Sequence, residues 1–272
     1  MKKLMFAIGA VALCGAVFAS GEVASQIVGF NTITVNGGST TALSVQFKDC
    51  GTANDAGVML KDIIKLDKPT GKTKPNNGAD EIWIYADGDW AKYYFWASRG
   101  DGNVWLDYSQ APTKAADAIA AETKVTLKPG QCFFFIRGGT SVGVATLSGE
   151  VVPLTDVITF NVAGGSTTAM AFPWPVAMPI NDFTKYIDKP TGKTKPNNGA
   201  DEIWLYEDGD WAKYYFWASR GDGNVWLDYS QAPTKAADAI AATTKKTLQP
   251  GQAFFFIRGG TSAGVISFGE AK

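Results

Sequence analysis

Histidine is absent from this 272-residue chain, and cysteine occurs only at positions 14, 50 and 132. Without imidazole, the usual hydrolytic triads and His-bearing zinc sites are closed to it. Neither sign of charge is in excess, with 25 Lys and Arg against 26 Asp and Glu. The basic surplus of a general nucleic-acid binder is missing, so nucleic acid is not an expected partner. The longest apolar run, residues 4–18, has 15 residues, short of the ~20 that a membrane-spanning helix needs. A Walker phosphate loop and a dinucleotide fingerprint are also missing. What is present is core material: 46% of residues are hydrophobic and 12% aromatic, which excludes a disordered chain.

The apolar run has the layout of a secretory leader. Lys2 and Lys3 precede it, and Val17-Phe18-Ala19 puts small residues where signal peptidase cuts, after Ala19. Leu13 stands before Cys14, where lipid attachment wants Gly or Ala, so release is expected rather than a lipid anchor. The expected destination is the periplasm, the cell surface or the medium. Loss of Lys2 and Lys3 leaves the mature chain with three more acids than bases.

The strongest signal is a duplication. Residues 68–144 recur at 189–265 with a constant shift of 121, and only positions 84, 86, 122, 125, 128, 132 and 142 differ. Gly37-Gly38-Ser39-Thr40-Thr41 recurs at 164–168 with a shift of 127, so copy two has lost six residues between Ala169 and Lys189. A period this long means tandem domains, each able to bury its own core. The expected organisation is a signal peptide at 1–19, copy one at 20–152 and copy two at 153–272. No Gly/Ser-rich spacer separates the copies, so a fairly fixed pair is expected.

Within one unit, alternation predicts strands at 26–35 and 41–47. Helical spacing of Leu60, Ile63 and Ile64 predicts a helix at 57–66, followed by an exposed loop at 68–79. A meander of strands 80–86, 89–97 and 104–108 follows, its first turn marked by Asp87-Gly88. A short Ala-rich helix at 112–122 and closing strands at 131–137 and 142–147 complete the unit. The fold class is mainly β: two tandem β-sandwich or partly open barrel domains, each with one or two short helices.

The opening VGFNTITV, the Trp- and Tyr-rich strands after DEIW, and the close LKPGQCFFF (LQPGQAFFF in copy two) carry a resemblance. Both units resemble a secreted β-repeat module of bacterial proteins whose role is unknown. The resemblance implies export and β architecture, and brings no catalytic residues with it.

Several motifs compete with plain structural readings. Cys50 and Cys132 are both missing from copy two, as a bonded pair would be, and export permits oxidation, so a disulfide between them is expected. Arg99-Gly100-Asp101 and its twin Arg220-Gly221-Asp222 read as turns. Asp87, Asp89, Asp101 and Asn103 offer oxygens to Ca²⁺, but no EF-hand loop is present and no metal or other cofactor is expected. Catalysis would need a carboxylate pair from Glu81, Asp89, Asp101 and Asp107, which read more simply as turn and solvent-face residues. The expectation is no enzyme.

The meander's two faces carry most of the content. Alternation assigns Ile82, Ile84, Ala91, Tyr93, Phe95, Val104 and Leu106 to the core. The other face receives Trp83, Tyr85, Trp90, Tyr94, Trp96 and Trp105 among charges, with Trp204, Tyr206, Trp211, Tyr215, Trp217 and Trp226 as twins. Such a face is either covered, by the 57–66 helix or a loop, or open for sugars to stack on. The leading expectation is a non-catalytic structural or interaction module, envelope-associated or extracellular. The alternative is a bivalent glycan-binding protein using Trp83, Trp90, Tyr94, Trp96, Trp105 and their twins. The partners that fit are a polysaccharide or another envelope protein.

Overall fold

The computed structural model describes residues 28–48, 57–86, 88–99, 101–153, 156–207, 210–219 and 222–269. The leader and Cys50 lie outside the described residues. The chain is mainly β, built among the described residues from several open sheets and no closed barrel, consistent with a sandwich-like fold.

Copy one opens with β1 (Val28–Val35), β2 (Thr40–Ser44) and β3 (Phe47–Lys48). The short strand β4 (Val58–Met59), a single helical turn α1 (Leu60–Ile63) and β5 (Lys65–Leu66) follow. The aromatic meander is β6 (Glu81–Ala86), β7 (Asp89–Ser98) and β8 (Asp101–Asp107). The unit ends with α2 (Ala115–Ala120), β9 (Thr126–Leu127), β10 (Cys132–Ile136) and β11 (Gly143–Val151). One sheet has the order β2-β10-β6-β7-β8; the other joins β1, β11 and β3, with β5 also on β11.

The two sheets face each other across one core. Val35, Ala145 and Leu147 of one sheet meet Leu43, Ile82, Tyr93, Phe95, Phe133 and Phe135 of the other. The Phe133/Phe135 alternation is the period of two at work: these rings enter the core, and Cys132 and Phe134 point the other way. The first and last strands of the copy pair antiparallel, Val28 opposite Glu150 and Val35 opposite Gly143, which closes the unit.

Copy two repeats the plan with β12 (Ile158–Val162), β13 (Thr167–Ala171) and β14 (Met178–Pro179), then α3 (Ile180–Phe183). Its meander is β15 (Glu202–Glu207), β16 (Asp210–Ser219) and β17 (Asp222–Asp228). It ends with α4 (Ala236–Ala241), β18 (Thr247–Leu248), β19 (Ala253–Ile257) and β20 (Gly264–Phe268). The main sheet has the matching order β13-β19-β15-β16-β17, and β12 pairs with β20. Among the described residues no strand pairs between copies. Val152 nevertheless packs in the core of copy two, with Ile158, Phe172 and Phe268.

Two local expectations are corrected. The 57–66 segment is not one helix: α1 is a single turn flanked by two-residue strands, and Leu60 and Ile63 belong to the sandwich core. The third meander strand starts at Asp101, three residues earlier than expected, because Ser98 pairs with Asp101 in a tight hairpin.

Candidate functional site

The hairpin register moves Trp105 to the opposite face from the one expected. Phe95 stands directly opposite Trp105, and directly opposed residues share a face. Trp105 therefore lies in the sandwich core with its ring 5.3 Å from Phe95, and Val104 and Leu106 take its place beside Tyr94 and Trp96. The irregularity between Trp96 and Ser98 shifts the pairing, which simple alternation across the turn could not register. Trp226 repeats the arrangement against Phe216 at 5.5 Å.

Tyr94 and Trp96 are covered as well. Both are 0% exposed, as are Tyr215 and Trp217. The cover is neither the 57–66 segment nor copy two, but the chain that leaves β8. The Tyr94 hydroxyl donates to Gln110 O at 2.8 Å and Trp96 Nε1 donates to Pro112 O at 3.1 Å. Helix α2 adds Ala118, and Ala79 closes the cluster. Gly102, at φ 90°, lets its backbone lie on the indole; a Cβ there would come 2.2 Å from the ring. The twins donate from Tyr215 to Gln231 O at 2.7 Å and from Trp217 to Pro233 O at 3.1 Å. Every polar atom of these four rings has a partner, as buried aromatics require.

Trp90 and Trp211 end in a third place, the joint between the copies. Trp90 lies 5.4 Å from Phe134 of its own sheet and 6.3 Å from Phe255 of copy two. Trp211 lies 5.1 Å from Phe255 and 6.4 Å from Phe134. Tyr85 meets Phe255 at 5.6 Å, and Tyr206 meets Phe134 at 6.3 Å. Beside the rings sits a patch of small residues, Cys132 and Ala253 with Ala169 and Ala171. The extended row Trp90–Tyr94–Trp96 is thus divided between joint and cap, and offers no continuous surface for successive sugars.

Trp83 and Trp204 are half-buried at the edge of the joint, their rings 6.2 Å from Trp90 and 6.4 Å from Trp211. Lys92 stands opposite Trp83 and holds its ammonium 3.9 Å from the ring centroid; Lys213 does the same to Trp204 at 3.8 Å. Each indole N–H donates to a buried carboxylate, Trp83 to Glu81 and Trp204 to Glu202, both at 3.0 Å. One face of each indole is thus already taken by a cation.

The other candidates are dispersed. Cys132 is a free, buried thiol, and its expected partner Cys50 lies outside the described residues. The Cys132 side chain faces the small-residue patch of the joint, where copy two has Ala253. That packing gives a second reason for the Cys/Ala difference: both are small. Burial pushes the thiol up to about 12. Iodoacetamide at pH 8 should therefore leave Cys132 untouched in the native protein and modify it in urea without reductant; protection that persists in urea would mean the thiol is bonded.

Asp89 and Asp101 are exposed at opposite ends of the ten-residue strand β7, too far apart to share an ion or a scissile bond. Among the described residues no group of three His, Cys, Asp or Glu side chains could hold a metal ion. The pattern G-x-S-x-G, which escaped the sequence reading, occurs at 139–143 and 260–264. It lies in the turn between two strands, β10 and β11 or β19 and β20, whereas a nucleophile elbow joins a strand to a helix. An open cleft of about 280 Å³ at the joint is lined by Pro129, Gln131, Ile158 and Phe160 with Lys128, and carries no acid.

One buried ionic pair was invisible to motif reading. Asp80 Oδ2 accepts from Arg137 Nη1 at 2.8 Å and from Thr70 N at 2.7 Å, and Oδ1 accepts from Gly138 N at 2.8 Å. Arg137 Nη2 also donates to Lys68 O at 2.7 Å. Asp201 and Arg258 repeat the network in copy two. Burial holds the Asp80 carboxyl above the ordinary carboxylate range, against the pull of its N–H donors and Arg137. The network pins the 68–80 loop to the end of β10.

Six tyrosines, Tyr93, Tyr94, Tyr108, Tyr214, Tyr215 and Tyr229, are raised above the ordinary phenol value, first by burial; Tyr215 reaches about 12. A raised folded value means that the neutral phenols stabilise the fold fully below about pH 10, and that this is lost as pH rises through the folded values. Absorbance at 295 nm should therefore rise together with loss of the far-ultraviolet β signal. Ionisation of these six tyrosines near pH 10 with the fold intact would contradict the packing.

No protein-family model matches the chain, and no curated protein matches it at a significant level. Function has to be argued from the arrangement alone. Among the described residues no helix is long and apolar enough to cross a membrane.

Proposed function

We propose that this is an exported, non-catalytic protein that serves as a structural or interaction module of the envelope or extracellular space, its two β-units acting as one body. The observation that carries the reading is the fate of the aromatic face. Of the ten candidate stacking rings, eight are distributed among two sandwich cores, two caps and the joint, and the other two, Trp83 and Trp204, lie under lysines. Rings used in this way supply rigidity and burial rather than a platform. Export rests on the leader at 1–19, and the resemblance to secreted β-repeat modules agrees with it. A glycan-binding role would rest on Trp83 and Trp204, one face of each already covered by its ammonium partner.

Affinity electrophoresis through gels containing a panel of neutral polysaccharides tests the choice. The mature protein should migrate as it does in plain gel, with unchanged tryptophan fluorescence. Retardation that disappears in a Trp83→Ala, Trp204→Ala variant would overturn the structural reading in favour of the glycan one.

A further inference from the structure

Equivalent residues of the two copies meet across the joint in reciprocal pairs. Ser44 donates its hydroxyl to Gly251 O at 2.7 Å. Ala171, the counterpart of Ser44, donates its backbone N–H to Gly130 O at 2.6 Å, and Gly130 is the counterpart of Gly251. The Tyr85–Phe255 contact is answered by Tyr206–Phe134, and Trp90–Phe255, at 6.3 Å, by Trp211–Phe134, at 6.4 Å. Phe134 and Phe255, each the other's counterpart, meet at 6.0 Å. When residue i meets j and j meets i, the interface is isologous, the two-fold pattern of a homodimer.

We propose that this face is a self-complementary docking surface whose intermolecular partner is the same face of a second copy of the chain. Ser44/Ala171 and Cys132/Ala253 differ only between small side chains; Gln46, whose amide donates to Pro250 O at 3.5 Å, has Pro173 as its counterpart, so this peripheral contact is made from one side only. Copy one therefore meets copy one with the same rings, and with Ser44 facing the carbonyl of Gly130 in place of that of Gly251. Copy two meets copy two through the Ala171 N–H. Within one chain the joint closes on itself, because a short connection holds the copies at an effective concentration of ~mM. Exchange between chains becomes visible when that advantage is removed.

The test begins with the folded full chain carrying a protease site inserted after the exposed Pro153. After cutting, the halves should co-elute on gel filtration, and native mass spectrometry should find like pairs, copy one with copy one and copy two with copy two, beside the mixed pair. Halves that separate into monomers, or that form only the mixed pair, would overturn the proposal. If the halves precipitate, the uncut chain decides: refolded at ~mM, the concentration that matches the internal joint, it should give a two-chain species. That species should fall by ~10-fold or more, the change that a modest loss of interface energy produces, in a Phe134→Ala, Phe255→Ala variant. A chain that is monomeric at every concentration, or a two-chain species indifferent to that variant, overturns it equally.

Discussion

Replacing Asp80 with Ala should lower the stability of the mature chain by about 3–5 kcal/mol, the usual result of removing one partner from a buried ion pair. The substitution leaves the Arg137 guanidinium, whose side chain is 1% exposed, without its counter-charge. It also deprives the N–H groups of Thr70 and Gly138 of their acceptor. Asp80 itself is 0% exposed, so the groups left behind lie away from bulk solvent. Asp80→Asn should cost less, because the amide oxygen can keep one of those donors. Urea unfolding followed by circular dichroism measures both; a loss below about 1 kcal/mol for the Ala variant, the level of an exposed pair, would show that the network is not a structural pin. The same substitution at Asp201 should have the same effect through copy two.

Replacing both Phe134 and Phe255 with Ala should uncouple the copies. Truncating a buried Phe costs about 3–5 kcal/mol, and partial exposure reduces that figure. Neither ring belongs to a sandwich core: Phe133 and Phe135 fill one, Phe254 and Phe256 the other. The loss therefore falls on the joint, where Phe134 touches Trp90, Tyr206, Trp211 and Phe255. Calorimetry should show one transition for the parent protein and two for the variant, with each unit still folded below its own midpoint. A single undivided transition in the variant would mean that something other than these rings couples the copies.

The regular elements were legible because their signals are local. The alternation of Thr32, Ile33, Thr34 and Val35 marked β1, Asp87-Gly88 between aromatic strands marked the β6–β7 hairpin, and Pro112 with the alanines after it marked the region of α2. The shift of 121 gave the duplication outright. What alternation could not supply was register through the second hairpin, where the irregularity after Trp96 sent Trp105 into the core. Nor could it say what covers a sheet face. Tyr94 and Trp96 are hidden by backbone carbonyls of Gln110 and Pro112, groups that every residue carries and no motif marks. The joint was hidden for the same reason: Phe134 reads as one more ring in CFFFI, and only tertiary structure brings it to Phe255. The Cys/Ala exchange at 132 and 253 looks the same in sequence whether the position bonds or has to be small, and only the structure shows that it faces the small-residue patch of the joint.

The central claim is that the aromatic face closes the joint between the copies instead of lying open. Nuclear Overhauser spectroscopy on dilute full-length mature protein with labelled aromatic residues tests it most directly. Cross-peaks from Tyr85 to Phe255 and from Tyr206 to Phe134 are predicted, because their centroids lie 5.6 and 6.3 Å apart and only a closed joint brings these pairs together. A spectrum in which the rings of each copy see only their own sheet, with Trp90 and Trp211 in contact with solvent, would contradict the account.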